Sequence, residues 1–356
     1  MRKVLDFIKP HVKDVAAYTL RQYAHEIKIN QNENPFDLPQ EIKEKILTYT
    51  LERSWSRYPD FVPTDLLQKL ARHISWREDG VLSGNGSNEL IQSILMTTAG
   101  PGTRVIIPTP TFTLYRLIGS ILGAEVIEIP LTSEYTFDVT AIRQAVIERK
   151  ADLLIICSPN NPTGCALSLN DLRSILNESD TLVILDQAYV EFGGEDAVPL
   201  LEEYDRLIVL RTFSKAMSMA GLRIGYMAAA PVLTQEIAKA KLPYNLNFFS
   251  QKAAMVILDH LDLLTERIIY IQEQREVVYH ALRTIPGVRP YPSHANFILF
   301  ETERPPGRIF EELVKRGILI RDVSRYPMLS KALRVSIGTE EENQRFIQAL
   351  WEVMVR

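Results

Sequence analysis

A chain of 356 residues, 46% hydrophobic and 24% charged, has the length of about two domains and the composition of an ordinary globular protein. Its net charge of −4 gives no sign of nucleic-acid binding, and its two cysteines, Cys157 and Cys165, form neither a disulfide framework nor a zinc-type spacing. No apolar run has the length of a membrane span, and the start, MRKVLDFIKPHVKDV, lacks the apolar core of a signal peptide. The expectation is a cytoplasmic enzyme whose thiols are buried and inert.

Residues 1 to about 23 read as an N-terminal arm, and His25–Asn30 as a short strand running into the polar loop Asn32-Glu33-Asn34-Pro35. Leu38–Leu51 and 64–75 read as helices, with a loop around Tyr58-Pro59 between them. Val81-Leu82 then leads through Ser83-Gly84-Asn85-Gly86-Ser87-Asn88-Glu89 into another helix. Apolar strands are expected at Arg104–Ile107, Glu125–Ile129, Asp152–Cys157, Thr181–Leu185, Arg206–Leu210 and Ile224–Ala228, most of them separated by helical segments. Such an alternation implies an α/β fold with a largely parallel sheet covered on both faces. From Ser250 to Thr284 no Gly or Pro interrupts a helical stretch. Shorter elements follow, at Asn296–Phe300, Ile309–Arg316, Ile318–Arg321 and Leu333–Ile337, with a last helix from Glu340; they read as a smaller α+β domain. The expected division is 1–50 as arm and part of the small domain, 51–250 as the large domain, and 251–356 as the small domain.

In open α/β sheets, ligands bind beyond the carboxyl ends of the strands. The residues there are Phe112 after one strand, Asn160-Asn161-Pro162-Thr163-Gly164 after the next, Asp186 and Tyr189 after a third, and Thr212-Phe213-Ser214-Lys215 after a fourth. A lysine at the end of a buried strand is unusual, because an ammonium is costly to bury. Desolvation and nearby positive charge lower its pKa and make its amine a nucleophile for carbonyls. Ser214 and Arg223 could hold a phosphate beside it, helped by Ser87 and Asn88 at a helix N-terminus. A phosphate-bearing carbonyl compound that combines with lysine suggests pyridoxal 5′-phosphate. Asp186 is placed to keep the pyridine nitrogen protonated, Tyr189 and Asn161 to donate to the ring oxygen, and Phe112 to cover a ring face. Each piece has a plainer alternative. Asp186 could cap a helix, the Asn-Asn-Pro-Thr-Gly stretch could be a turn, Tyr58 could merely pack, and Lys215 could end a strand in solvent. Their joint occurrence in chain order argues against all of these together.

The set Ser158-Pro-Asn-Asn-Pro-Thr-Gly164, Asp186-x-Ala-Tyr189 and Ser214-Lys215 with Arg223 resembles the fold-type-I pyridoxal-phosphate aminotransferases over essentially the whole chain. Asn32-Glu33-Asn34-Pro35, Arg57-Tyr58-Pro59, Gly221–Tyr226, Ile320-Arg321-Asp322 and Leu333–Gly338 make it similar, within them, to the histidinol-phosphate aminotransferases.

The resemblance implies that Lys215 anchors the cofactor and moves the substrate proton. Ser87, Asn88, Thr212, Ser214 and Arg223 would hold the cofactor phosphate. Tyr58 would reach the cofactor of the partner subunit in a homodimer. Tyr18, Asn34, Arg321 and Arg334 would face the substrate. The reaction implied is exchange of amine and ketone between histidinol phosphate and 2-oxoglutarate in histidine biosynthesis. An aromatic amino-acid aminotransferase, a threonine-phosphate decarboxylase and a non-catalytic cofactor binder stay open as alternatives. The chain departs from the family at Gln187, often Glu, and at Phe112, often Tyr; the second leaves substrate preference more open.

Overall fold

The computed structural model describes residues 4–13, 15 and 21–355. β1 (Ile27–Lys28) is followed by β2 (Val81–Gly84), β3 (Arg104–Thr109), β4 (Glu125–Pro130), β5 (Leu153–Cys157), β6 (Leu182–Asp186), β7 (Leu207–Thr212) and β8 (Gly225–Ala228). The C-terminal part adds β9 (Val288–Pro290), β10 (Phe297–Thr302), β11 (Ile318–Leu319), β12 (Arg321–Asp322) and β13 (Ala332–Ser336).

Seven strands form the main sheet in the order β2-β8-β7-β6-β5-β3-β4. β3 to β7 pair in parallel, whereas β8 runs antiparallel to both of its neighbours. The reason for the long Val, Ile and Leu runs is that both faces of this sheet are covered. Side chains alternate between the faces. Leu154, Ile156, Val183, Leu185, Leu207 and Val209 join one core, with the helices Thr64–Ile74 and Leu169–Glu178. Leu153, Ile155, Cys157, Ile184, Ile208 and Leu210 join the other, with the helices Ser87–Thr98 and Leu114–Leu122.

A four-stranded sheet, β12-β13-β10-β9, forms a separate core with the helices Leu261–Arg283 and Glu340–Val355. β1 pairs in parallel with β11, so the segment near Ile27 is tied to the C-terminal part of the chain. The continuous helix expected from Ser250 to Thr284 is a misreading. It is two helices, Phe248–Ile257 and Leu261–Arg283, with His260 at the start of the second. The break contains no Gly or Pro, and the His260 imidazole Nδ1 lies 2.8 Å from the carbonyl of Val256. The strand expected at His25–Asn30 is ordered as β-structure only at Ile27–Lys28.

Candidate active site

The register of the central strands gathers the functional groups. Cys157 of β5 lies beside Asp186 of β6, which lies beside Leu210 of β7. Asp186 therefore ends its strand on the same face as Ile184, and Thr212 ends β7 on that face too. The chain then turns. Phe213 enters the core on one face of the main sheet and Ala216 the core of the four-stranded sheet, both fully buried. Lys215, between them, is left facing a cavity of about 430 Å³.

Three groups of expected residues line that cavity. Ser87, Asn88, Thr212, Ser214 and Arg223 form one side, with Phe112 close by. Asn161, Asp186 and Tyr189 line it beyond the strand ends. Arg321 and Arg334 line it from β12 and β13.

Lys215 donates from Nζ to the Gln31 carbonyl at 2.9 Å. Burial pulls its amine down from its ordinary value to about 7, helped by the charges of Arg334 and Arg223 and opposed by Glu33. Burial lifts the Asp186 carboxyl above the usual carboxylate range, while hydrogen bonds from the Tyr115 phenol and the Ala188 N–H act against that rise. Tyr189 is buried, and its hydroxyl accepts from Asn32 Nδ2 at 3.0 Å and Asn161 Nδ2 at 3.4 Å. Burial holds its phenol in the protonated form. With its acceptor sites taken by two amides, that proton is available to an acceptor in the cavity.

The phosphate-type side is built from tight turns. Gly86 precedes the helix Ser87–Thr98 with φ +75°, and no side chain caps that helix. A Cβ on Gly86 would lie 2.4 Å from Arg223 Nη2, and one on Gly225 would lie 2.4 Å from the Ser87 nitrogen. Both glycines are therefore needed for the close approach of the Arg223 side chain and β8 to the helix start. Arg223 Nη1 donates to Ser214 Oγ at 3.1 Å, and Thr212 Oγ1 donates to the same oxygen at 3.0 Å. A helix N-terminus, two hydroxyls and a guanidinium so arranged suit a phosphate dianion. A buried carboxylate and a low-pKa amine on the same cavity suit a protonated pyridine bearing an aldehyde. The residues present thus fit pyridoxal 5′-phosphate.

Arg321 and Arg334 are directly opposite each other on antiparallel strands. Like charges in that relation repel unless something anionic offsets them. Arg334 is buried; it donates from Nη2 to the Asn30 carbonyl at 2.8 Å and from Nη1 to Asn161 Oδ1, and it lies 5.1 Å from the Phe297 ring centre.

Two expected residues, Asn34 and Tyr58, are placed elsewhere. Asn34 sits behind the lysine, on a neighbouring cleft, with Nδ2 donating to the carbonyls of Lys215 (3.4 Å) and Ala216 (3.2 Å). Its amide is tied to backbone because the loop folds under the Lys215 turn. Tyr58 is exposed and stacks on Tyr244, with ring centres 4.6 Å apart. Tyr18 lies outside the described residues. Gln187 does not point at the chemistry either; it braces a loop, donating to the Glu195 carbonyl at 2.6 Å and accepting from the Ala197 N–H at 3.3 Å.

Sequence reasoning missed Tyr115, Tyr326 and the cavity wall formed by residues 30–33. Tyr115 donates to Asp186 Oδ2 at 2.7 Å. The only signal for it was a tyrosine one turn beyond Phe112. Among the described residues, no cluster of His, Cys, Asp and Glu could hold a metal, and no helix is long and apolar enough to cross a membrane.

A family model for aminotransferase class I and II matches residues 24–350. A histidinol-phosphate aminotransferase from Chlorobium phaeovibrioides is 39% identical over 352 residues, 98% of this chain and 97% of the relative. One from Chlorobaculum tepidum is 38% identical over 326 residues, covering 91% of this chain and 93% of its own. Among solved structures, histidinol-phosphate aminotransferase from Sinorhizobium meliloti, in complex with pyridoxal 5′-phosphate, superposes with a TM-score of 0.88 at 25% identity, covering 98% of both chains. L-threonine-O-3-phosphate decarboxylase from Porphyromonas gingivalis gives 0.84 at 25% identity, covering 93% of this chain and 100% of its own. With the fold of these structures, and matched over nearly its whole length, the chain belongs to the class I and II aminotransferases.

Proposed function

We propose that the protein is a pyridoxal-phosphate-dependent histidinol-phosphate aminotransferase. It exchanges amine and ketone between L-histidinol phosphate and 2-oxoglutarate, giving imidazole-acetol phosphate and L-glutamate in histidine biosynthesis. The full-length similarity to histidinol-phosphate aminotransferases supports this reading. The observation that carries it is the opposed pair Arg321 and Arg334 on the cavity that holds Lys215. Two guanidiniums on one face suit a substrate with a phosphate at one end, and the glutamate carboxylates in the other half-reaction.

Bound in the cavity, the cofactor supplies a carbonyl that takes up the substrate amine and an electron sink for the carbon that loses its proton. Lys215 is its covalent anchor, and about half of its amine is unprotonated near pH 7. Its free amine would take and return the substrate proton. Asp186 would hold positive charge on the pyridine nitrogen. Tyr189 and Asn161 would donate to the ring oxygen, with Phe112 beside the ring. Ser87, Asn88, Thr212, Ser214 and Arg223 would hold the phosphate. Asn34 acts on the substrate indirectly, by fixing the backbone of Lys215.

We read the active unit as a cytoplasmic homodimer, with Tyr58 and Tyr18 acting at the shared sites. Support for the dimer is the exposed aromatic group of Tyr58 and Phe61, both packed on Tyr244. We read the chain as dividing into 1–50, 51–250 and 251–356. The pairing of Ile27–Lys28 with Ile318–Leu319 supports counting part of the N-terminal segment with the small domain.

The test is the ratio of kcat/KM for histidinol phosphate to that for phenylalanine, in wild type and in Arg321→Ala. A charge-assisted hydrogen bond contributes about 1.5–3 kcal/mol, so the ratio is expected to fall roughly 10–150-fold. A wild-type ratio favouring phenylalanine would replace the reading with an aromatic aminotransferase. Release of carbon dioxide from threonine phosphate would replace it with the decarboxylase, a fold neighbour.

A further inference from the structure

Asp186 is held by more than its strand. Tyr115, on the helix Leu114–Leu122, is fully buried and donates from its hydroxyl to Asp186 Oδ2 at 2.7 Å. The Ala188 N–H donates to the other oxygen, Oδ1, at 3.0 Å. The two donors belong to different elements, so the carboxylate plane is fixed at two points. Each oxygen keeps acceptor capacity for a further donor. The Tyr115 ring is itself locked, edge-on to Phe112 with ring centres 5.5 Å apart, inside the core on that face of the sheet.

The surroundings keep the phenol a donor, with the Cys157 thiol as its other polar neighbour. Burial, and then the Asp186 charge, push the phenol's pKa well above the ordinary value. Cys157, beside Asp186 on β5, is kept a neutral thiol by burial, and its Sγ lies 3.3 Å from the Pro159 carbonyl. Tyr189 is likewise kept neutral and is engaged by Asn32 and Asn161.

We propose that Tyr115 is a positioning residue, whose hydroxyl fixes the orientation and the ionised form of Asp186 toward the pyridine nitrogen of the cofactor. This rests on the cofactor reading given above and deepens it. Without the phenol, the buried carboxylate loses a charge-assisted hydrogen bond and swings about its remaining tie to Ala188.

The experiment is equilibrium dialysis of the apoprotein against pyridoxal 5′-phosphate and against its 1-deaza analogue, in which the ring nitrogen is CH. Wild type is expected to prefer the nitrogen-bearing compound. Tyr115→Phe removes one oxygen and keeps the aromatic packing. It should reduce that preference by about 10-fold, while affinity for the deaza analogue stays within about 2-fold. In an Asp186→Asn background the same substitution should leave the preference unchanged. A role in packing alone would weaken both compounds alike. If Tyr115→Phe does not fold, Tyr115→Met supplies the same comparison. An unchanged preference in a folded variant, or an equal fall for both compounds, overturns the inference and leaves the functional reading intact. A wild-type protein that binds neither compound overturns the functional reading, and the inference falls with it.

Discussion

The amine of Lys215 is the group whose behaviour can be worked out furthest from the structure. Titrating near 7 rather than at its ordinary 10.5, it has its charged form disfavoured by about 5 kcal/mol. Burial is the main cause, and Arg334 the next. At pH 7 about half of Lys215 is unprotonated, against roughly one in 3,000 for an ordinary lysine. The apoprotein, given low concentrations of formaldehyde and cyanoborohydride, should therefore label at Lys215 about 10²–10³ times faster than at exposed lysines. Lys315 is a suitable internal control, because its pairing with Glu312 pushes its amine upward. Peptide mass mapping across pH 5–10 should give a rising curve for Lys215 with its midpoint near 7. Raising the pH through that midpoint removes the proton, so reactivity appears on the alkaline side. Arg334→Gln removes the largest charge contribution and should raise the midpoint by about 1. A midpoint above about 9, or labelling no faster than at Lys315, would refute the desolvation argument.

Two further outcomes are expected. Gly86→Ala places a Cβ against Arg223 Nη2 at a backbone angle unsuited to alanine, so cofactor affinity should fall at least ~10-fold; dialysis showing wild-type affinity would mean that the turn is not part of the phosphate site. Mixing inactive Lys215→Ala with inactive Tyr58→Ala should restore up to about half activity per hybrid dimer, and no recovery after verified subunit exchange would remove Tyr58 from a shared site.

Much of the fold could be read because its strands are buried on both sides. Runs such as Leu153–Cys157 and Leu207–Leu210 carry no polar face, and the motifs that follow them mark the ligand edge. Strand direction was less legible. β8 is as apolar as its neighbours, and composition does not distinguish an antiparallel insertion from another parallel strand. The break at Leu258–His260 was invisible because it uses no Gly or Pro. In the site, residues whose chemistry is their own, such as Lys215 and Asp186, announced themselves. Tyr115 acts through Asp186, 71 positions away, and nothing local to it in sequence predicts that pairing. Asn34 was expected to face the substrate on the resemblance alone, and its amide is spent on backbone carbonyls.

The wall formed by residues 30–33 has a bearing on how the protein is made. The bonds from the Asn32 nitrogen to Ser336 Oγ and from Arg334 to the Asn30 carbonyl each join positions 304 residues apart. Contacts so distant close very large loops and form only after much local structure is in place. On the ribosome, the segments carrying Asp186 and Lys215 emerge well before Arg334 and Ser336 do. The main sheet can therefore be largely assembled while the cavity still lacks one side. Synthesis of almost the entire chain precedes the moment at which Arg334 and the 30–33 wall stand beside the lysine, so its lowered pKa is a property of the finished polypeptide and not of the nascent one.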